Sequence, residues 1–141
     1  MEIVINYLAV LLAAVASMAV GFAWYSPAVL GKPWMKLKGY TEASLKKEQK
    51  QMGKWYAVSF VLALLTADML AHVAFFSNYF FNQGLLSAAL SSGLFVWIGF
   101  IMPVQATAQI FGEKKWKLLA IDTGYQLAAV FAMALIIGWM G

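Results

Sequence analysis

Residues 55–76 read WYAVSFVLALLTADMLAHVAFF, and this stretch decides the fold. It contains no proline or glycine. Asp68 and His72 are its only acid and its only histidine. The hydrocarbon core of a bilayer takes about 20 mostly apolar residues as a helix, with a range of about 17–25. The stretch therefore predicts a membrane-spanning helix. On that helix Asp68 and His72, four positions apart, share one face.

Three more stretches of this kind lie on either side. The predicted spans are Ile3 to Tyr25, Trp55 to Phe76, Leu85 to Phe111 and Leu118 to Met140. The third is overlong and contains Pro103, which predicts a kink or a tilt. The first differs from a cleaved signal peptide: it is preceded by Glu2 rather than a lysine, and its apolar run exceeds the usual length. The expected fold class is all-α, a four-helix transmembrane bundle. Residues 1–141 are read as one integral membrane domain with a short cytoplasmic amphipathic or polar helix between spans one and two.

Composition agrees. Of 141 residues, 63% are hydrophobic and 11% charged, against about 45–50% and about 25% in soluble domains. With no cysteine, disulfides, thiolate metal sites and cysteine nucleophiles are excluded. With one histidine and few carboxylates, neither a metal site nor a cofactor is expected.

All ten basic residues are lysines. Lys32, Lys36, Lys38, Lys46, Lys47, Lys50 and Lys54 fall between spans one and two. Lys114, Lys115 and Lys117 fall between spans three and four. The connection Ser77 to Gly84 carries no charge. The positive-inside rule then places both lysine loops in the cytoplasm and both termini outside, in a cytoplasmic (inner) membrane. The net charge of +4 reads as orientation and contact with anionic lipid rather than nucleic-acid binding. Trp24, Tyr25, Trp34, Trp55, Tyr56 and Trp116 would form one aromatic belt, and Tyr79, Phe80 and Trp139 the other.

Between spans one and two, Pro27, Gly31, Pro33 and Gly39 are expected to break regular structure. Trp34, Met35 and Leu37 alternate with lysines, as in a segment lying among headgroups. Thr41 can then cap a short, mostly solvated helix with Glu42 in its first turn.

In lipid, helices associate through small residues. Span one offers Ala9, Ala13, Ser17 and Gly21. Span two offers Ser59, Ala63, Ala67 and Ala71, and span four Gly124, Ala128 and Ala132. A homo-oligomer is a reasonable expectation for so small a unit. A weak internal echo joins GFAWYSPAVLGKPWMKL to GFIMPVQATAQIFGEKKWKL, each followed by a Gly-Tyr pair, which suggests parallel hairpin repeats.

The stretches GFAWYSPAVLGKPWMKLKGYT and WIGFIMPVQATAQIFGEKKWKLLAIDTGYQLAAVFAMALIIG resemble the family of small integral membrane proteins called domain of unknown function 1761. The resemblance implies a four-span membrane protein and brings no activity, substrate or catalytic residue. Asp122 departs from the asparagine associated with its place in that family, which lowers the weight of an acid there.

The remaining candidates are polar groups inside the spans. An aspartate at a span centre costs about 2.5–3.5 kcal/mol on insertion scales, so it should face the bundle interior or water. Asp122, Gln105 and Gln126 approach from the cytoplasmic edge, and Asp68 and His72 continue outward. Together they would line a polar path for protons, cations or a small polar solute. The alternative is that Asp68 and His72 form an interhelical hydrogen-bond clamp and Asp122 pairs or snorkels at the interface. Signatures of catalysis are absent, so no enzyme is expected. Two functions follow: a small transporter or channel component, or a non-catalytic accessory or scaffold subunit binding another membrane protein.

Overall fold

The structure is a computed structural model and describes residues 2–141. Its order is α1 (Tyr7–Trp24), α2 (Gly31–Lys38), α3 (Glu42–Gln49), α4 (Met52–Phe81), α5 (Leu85–Val96), a π-helical turn (Trp97–Ile101), α6 (Met102–Ile110) and α7 (Trp116–Met140). The described residues are 82% helical with no strand. Four helical runs, Tyr7–Trp24, Met52–Phe81, Leu85–Ile110 and Trp116–Met140, are long and apolar enough to cross a membrane.

Local chemistry sets the ends. The first span starts at Tyr7 rather than Ile3 because Asn6 caps it, its Oδ1 accepting from the amides of Leu8 and Ala9 at 3.1 and 3.2 Å. The Asn6 amide also donates to the carbonyl of Met140 at 3.0 Å, fastening the start of α1 to the end of α7. At the far end of α4, Asn82 takes a left-handed conformation with φ 50°, which asparagine tolerates better than most residues.

A π-helical turn stands just before Pro103. Proline lacks an amide hydrogen, and its ring would collide with the carbonyl four residues earlier, that of Gly99. The wider turn Trp97–Ile101 absorbs this, with the Met102 amide reaching back to the Trp97 carbonyl.

In the segment after α1, Pro33 does not break structure as expected. It sits in the first turn of α2, where amide hydrogens have no partner within the helix. Gly39, at φ 76°, ends that helix. Thr41 caps α3 as predicted, in a reciprocal box with Ser44.

The four long runs form a ring in which α1 packs on α4 and α7, and α5 packs on the same two. Chain direction alternates around the ring. Residues 25–51 and 111–115 therefore lie at one end, together with all ten lysines. The 82–84 turn lies at the other end.

The buried core is built from small residues, with Ala13, Ala67, Ala74, Ala89 and Ala134 wholly covered. Val10, Leu70, Val130, Met133 and Ile137 fill the space between them. Core residues of α4 begin only at Ala67, and its first half buries none. The bundle is thus close-packed in the half away from the lysines and looser in the other half.

The stripe on α1 lies as expected, with Ala9, Ala13 and Ser17 buried. A methyl on Gly21 would stand 3.2 Å from the Tyr125 hydroxyl. On α7 the buried alanines are Ala129 and Ala134 rather than Ala128 and Ala132. That helix is wedged between α1 and α5, so its covered arc is broader than one stripe. The Gly-Tyr pairs of the internal echo occupy different settings: Gly39 ends α2, whereas Gly124 lies within α7 against Trp24.

Candidate functional site

The five polar candidates separate into three places. Asp68 and His72 are neighbours on α4, and among the described residues their side chains hydrogen-bond to no other helix. The His72 ring donates from Nδ1 to the carbonyl of Asp68, one turn back, at 2.8 Å. A carbonyl only accepts, so Nδ1 carries the hydrogen. The Asp68 carboxyl oxygen Oδ1 lies 3.5 Å from the same nitrogen. That hydrogen is already engaged, and Oδ1 is buried without a hydrogen-bond partner. Asp68 borders a small groove between α1 and α4, beside Tyr7, Val10 and Leu11.

Asp122 is at the lysine end and is joined to α1. The Tyr25 hydroxyl donates to its Oδ1 at 2.6 Å. One residue away, the Trp24 indole donates to the carbonyl of Ile121 at 3.0 Å. Tyr25 in turn stacks edge-on with Trp34 of α2 and Tyr125 of α7, each at 5.3 Å between ring centres. Asp122 is therefore committed to holding α1, α2 and α7 together. Trp24 and Trp34, expected in an aromatic belt, take part in this joint. Trp97, which the sequence reading passed over, does the same further along by donating to the carbonyl of Thr123 at 2.8 Å. An indole inside an apolar span, with one donor to satisfy, is the signal that could have flagged it.

Lys115 completes the lysine end. Its ammonium donates to the carbonyl of Leu37 in α2 at 2.5 Å and pairs with Glu113 at 2.5 Å. The neighbouring ammonium holds the exposed Glu113 carboxyl below the usual glutamate range.

Gln105 and Gln126 are brought together. Both line a cleft of about 500 Å³ between α4 and α5–α6. Gln126 also lines a cavity of about 250 Å³ among α1, α4 and α7. Five residues around that cavity carry hydrogen-bonding side chains: Ser17, Ser59, Thr66, Tyr125 and Gln126. Ser17 and Thr66 spend their hydrogens on carbonyls of their own helices. Ser59 and Gln126 form no side-chain hydrogen bond among the described residues, and Gln105 Oε1 is buried without a partner. Buried polar groups normally find partners, and leaving one unmade costs roughly 1–3 kcal/mol. The Gln126 amide, which lines both hollows, is therefore the group best placed to bind something.

The predicted polar path is consequently divided. Gln105 and Gln126 share a cleft, Asp122 is occupied by Tyr25, and Asp68 opens onto a different groove. Between them lies the alanine-rich core.

Fold and site define a small all-helical protein with four helices of membrane-crossing length and a polar pocket between them. The chain belongs to the family described as Protein of unknown function (DUF1761), whose model matches residues 8–138. No curated protein and no solved structure matches it.

Proposed function

We propose that the protein is a non-enzymatic integral membrane protein that binds a small uncharged polar solute and passes it across the bilayer. The observation that carries this reading is the cavity among α1, α4 and α7. Ser59 and Gln126 line it with unused hydrogen-bonding groups, beside Ser17, Thr66 and Tyr125. No charged side chain lines it, so a neutral solute suits it better than an ion. The packed alanine core closes the half of the bundle away from the lysines and leaves the lysine end as the looser face. The positive-inside rule makes that face cytoplasmic, with both termini outside and the cytoplasmic membrane as the location. The solute site thus moves from Asp68 and His72 to Gln126 and its neighbours.

The test is stopped-flow light scattering of proteoliposomes shrunk in glycerol or urea. The parent protein should speed re-swelling over protein-free vesicles, Gln126→Leu should abolish the gain, and Asp68→Asn should retain it. Identical traces for parent and empty vesicles would remove the transport reading.

A second reading is an accessory subunit that binds another membrane protein or a further copy of itself. It is favoured by the outer face of α4, where Leu62, Leu65, Met69, Val73, Phe76 and Phe80 are all exposed. Their spacing of three and four residues is that of a helix-packing seam.

A further inference from the structure

The outer side of α4 carries an acid and an imidazole among residues suited to lipid. Both side chains are part-exposed, 28% for Asp68 and 29% for His72, near the middle of the 30-residue helix. Val61, Leu65 and Tyr79 are exposed on the same side. Val61, Leu65, Asp68, His72, Phe75 and Tyr79 follow one another in steps of four and three, the spacing of a two-helix seam. This seam borders a groove of about 330 Å³ between α1 and α4.

Each of the two polar side chains has one atom engaged or covered and one left over. Asp68 Oδ1 is covered, and His72 Nδ1 donates to the Asp68 carbonyl. Asp68 Oδ2 and His72 Nε2 form no hydrogen bond among the described residues and, unlike Oδ1, are not sealed off. Ionisable groups within a span normally face a bundle interior or water. These two atoms open onto the outside of the four-helix ring, where a lipid chain offers neither donor nor acceptor.

We propose that a second copy of this chain covers them, α4 against α4, with Asp68 Oδ2 of each protomer hydrogen-bonded to Nε2 of the partner's His72. The face is self-complementary: it holds an acid and a base one helical turn apart. The positive-inside rule inserts both copies the same way up, so the two α4 helices run parallel. A two-fold axis along the membrane normal then sets the acid of each copy against the imidazole of the other, and the contact closes at two copies. His72 is prepared for this role. The carbonyl bond fixes its ring through Nδ1 and leaves Nε2, across the ring, for a partner. One proton per pair suffices. On Nε2 it makes an imidazolium facing a carboxylate; on Oδ2 it makes an acid facing a neutral imidazole. The same oxygen–nitrogen bond forms in both cases, with no net charge left in the membrane. In excess detergent the copies separate and Asp68 is unpaired. The contact gives the self-association reading a definite seam and does not depend on solute transport.

The experiment uses the full chain in phosphatidylcholine liposomes, labelled with donor or acceptor dye through Lys46→Cys. Energy transfer should rise with the protein-to-lipid ratio as a dimer forms. Asp68→His and His72→Asp should each raise the dissociation constant about tenfold, the loss of two interhelical hydrogen bonds. Mixing the two variants should restore association to the parent level, because one supplies both imidazoles and the other both acids. A second measurement leaves the acid and imidazole intact. Leu65→Cys should cross-link between copies on mild oxidation, whereas Phe95→Cys, exposed on α5, should not.

Parent chains that stay apart at every density would overturn the proposal. So would unchanged association of either variant, a mixture no stronger than its components, or cross-linking at position 95 in place of 65. Association lost on adding a metal chelator would also overturn it, since a shared ion would then hold the four side chains. Glycerol or urea flux, present or absent, bears on the transport reading alone.

Discussion

The hydroxyl of Tyr25 donates to Oδ1 of Asp122 at 2.6 Å, joining residues 97 positions apart. With the Trp24 indole on the Ile121 carbonyl, it makes a two-bond joint where the first span meets the last. This joint lies at the looser end of the bundle, where small-residue packing contributes least. Hydrogen bonding there takes over part of the role that close packing has at the other end.

Tyr25→Phe removes the hydroxyl and leaves the ring in its aromatic contacts. It should lower stability by about 1–2 kcal/mol, as expected for a half-buried bond to a carboxyl group. Thermal unfolding in a mild detergent reads this directly. Asp122→Asn keeps an acceptor and should cost less than Tyr25→Phe. Equal stability of Tyr25→Phe and the parent would show that the bond contributes nothing.

Asp68 has the opposite expectation. Its Oδ1 has no partner although it is buried. Replacing it with leucine should raise the unfolding midpoint, since an acid within a span costs about 2.5–3.5 kcal/mol on insertion scales. A lowered midpoint would mean that another molecule supplies the missing partner.

Close packing away from the lysines makes a prediction about glycine. A methyl on Gly138 would come within 2.5 Å of the Leu86 backbone, and one on Gly93 within 2.9 Å of Val130. Gly138→Ala and Gly93→Ala should each destabilise by about 1–3 kcal/mol, the usual cost of overpacking. Gly53, in the first turn of α4 with nothing within 4 Å, should accept alanine with no loss, because alanine favours a helix by about 1 kcal/mol. Unfolding curves of the three variants give the order.

The Glu113–Lys115 pair predicts a pH response. Lys115 lowers the Glu113 carboxyl in the folded chain. The pair's contribution is therefore fully present above the ordinary glutamate range and is lost as pH falls through the lowered value. Hydrogen exchange at residues 111–115 should quicken over that acid window in the parent and show no such step in Glu113→Gln. An unchanged step in Glu113→Gln would assign it to another group.

What sequence could reveal follows from the range of the forces involved. The four spans were legible because length and hydropathy are local properties, and α3 was legible because Thr41 caps it locally. Asn6 was equally legible as a cap but was passed over in favour of the longer apolar run. Pro33 was read as a breaker because its position within α2 depends on where that helix starts. The bond between Tyr25 and Asp122 and those made by Trp24 and Trp97 join positions far apart, and no local pattern announces them. Asp68 and His72, ionisable and on one face, suggest either a polar route or an interhelical clamp. Their actual geometry is set by the helix's own carbonyl, which a face argument does not weigh. Gln105 and Gln126 were singled out as intramembrane polar groups, but that they share one cleft depends on the π turn before Pro103 and on how α6 faces α7.

The account rests on the lysine-bearing connections sharing one side of a membrane, with the Asn82 turn on the other. Because the chain has no cysteine, single cysteines report position cleanly. Lys46→Cys, Lys115→Cys and Asn82→Cys can each be treated in sealed cells with a membrane-impermeant maleimide. The account predicts rapid labelling at position 82, and labelling at 46 and 115 only after the cells are opened. Labelling of 46 and 115 on opposite sides, or of all three from outside, would contradict it.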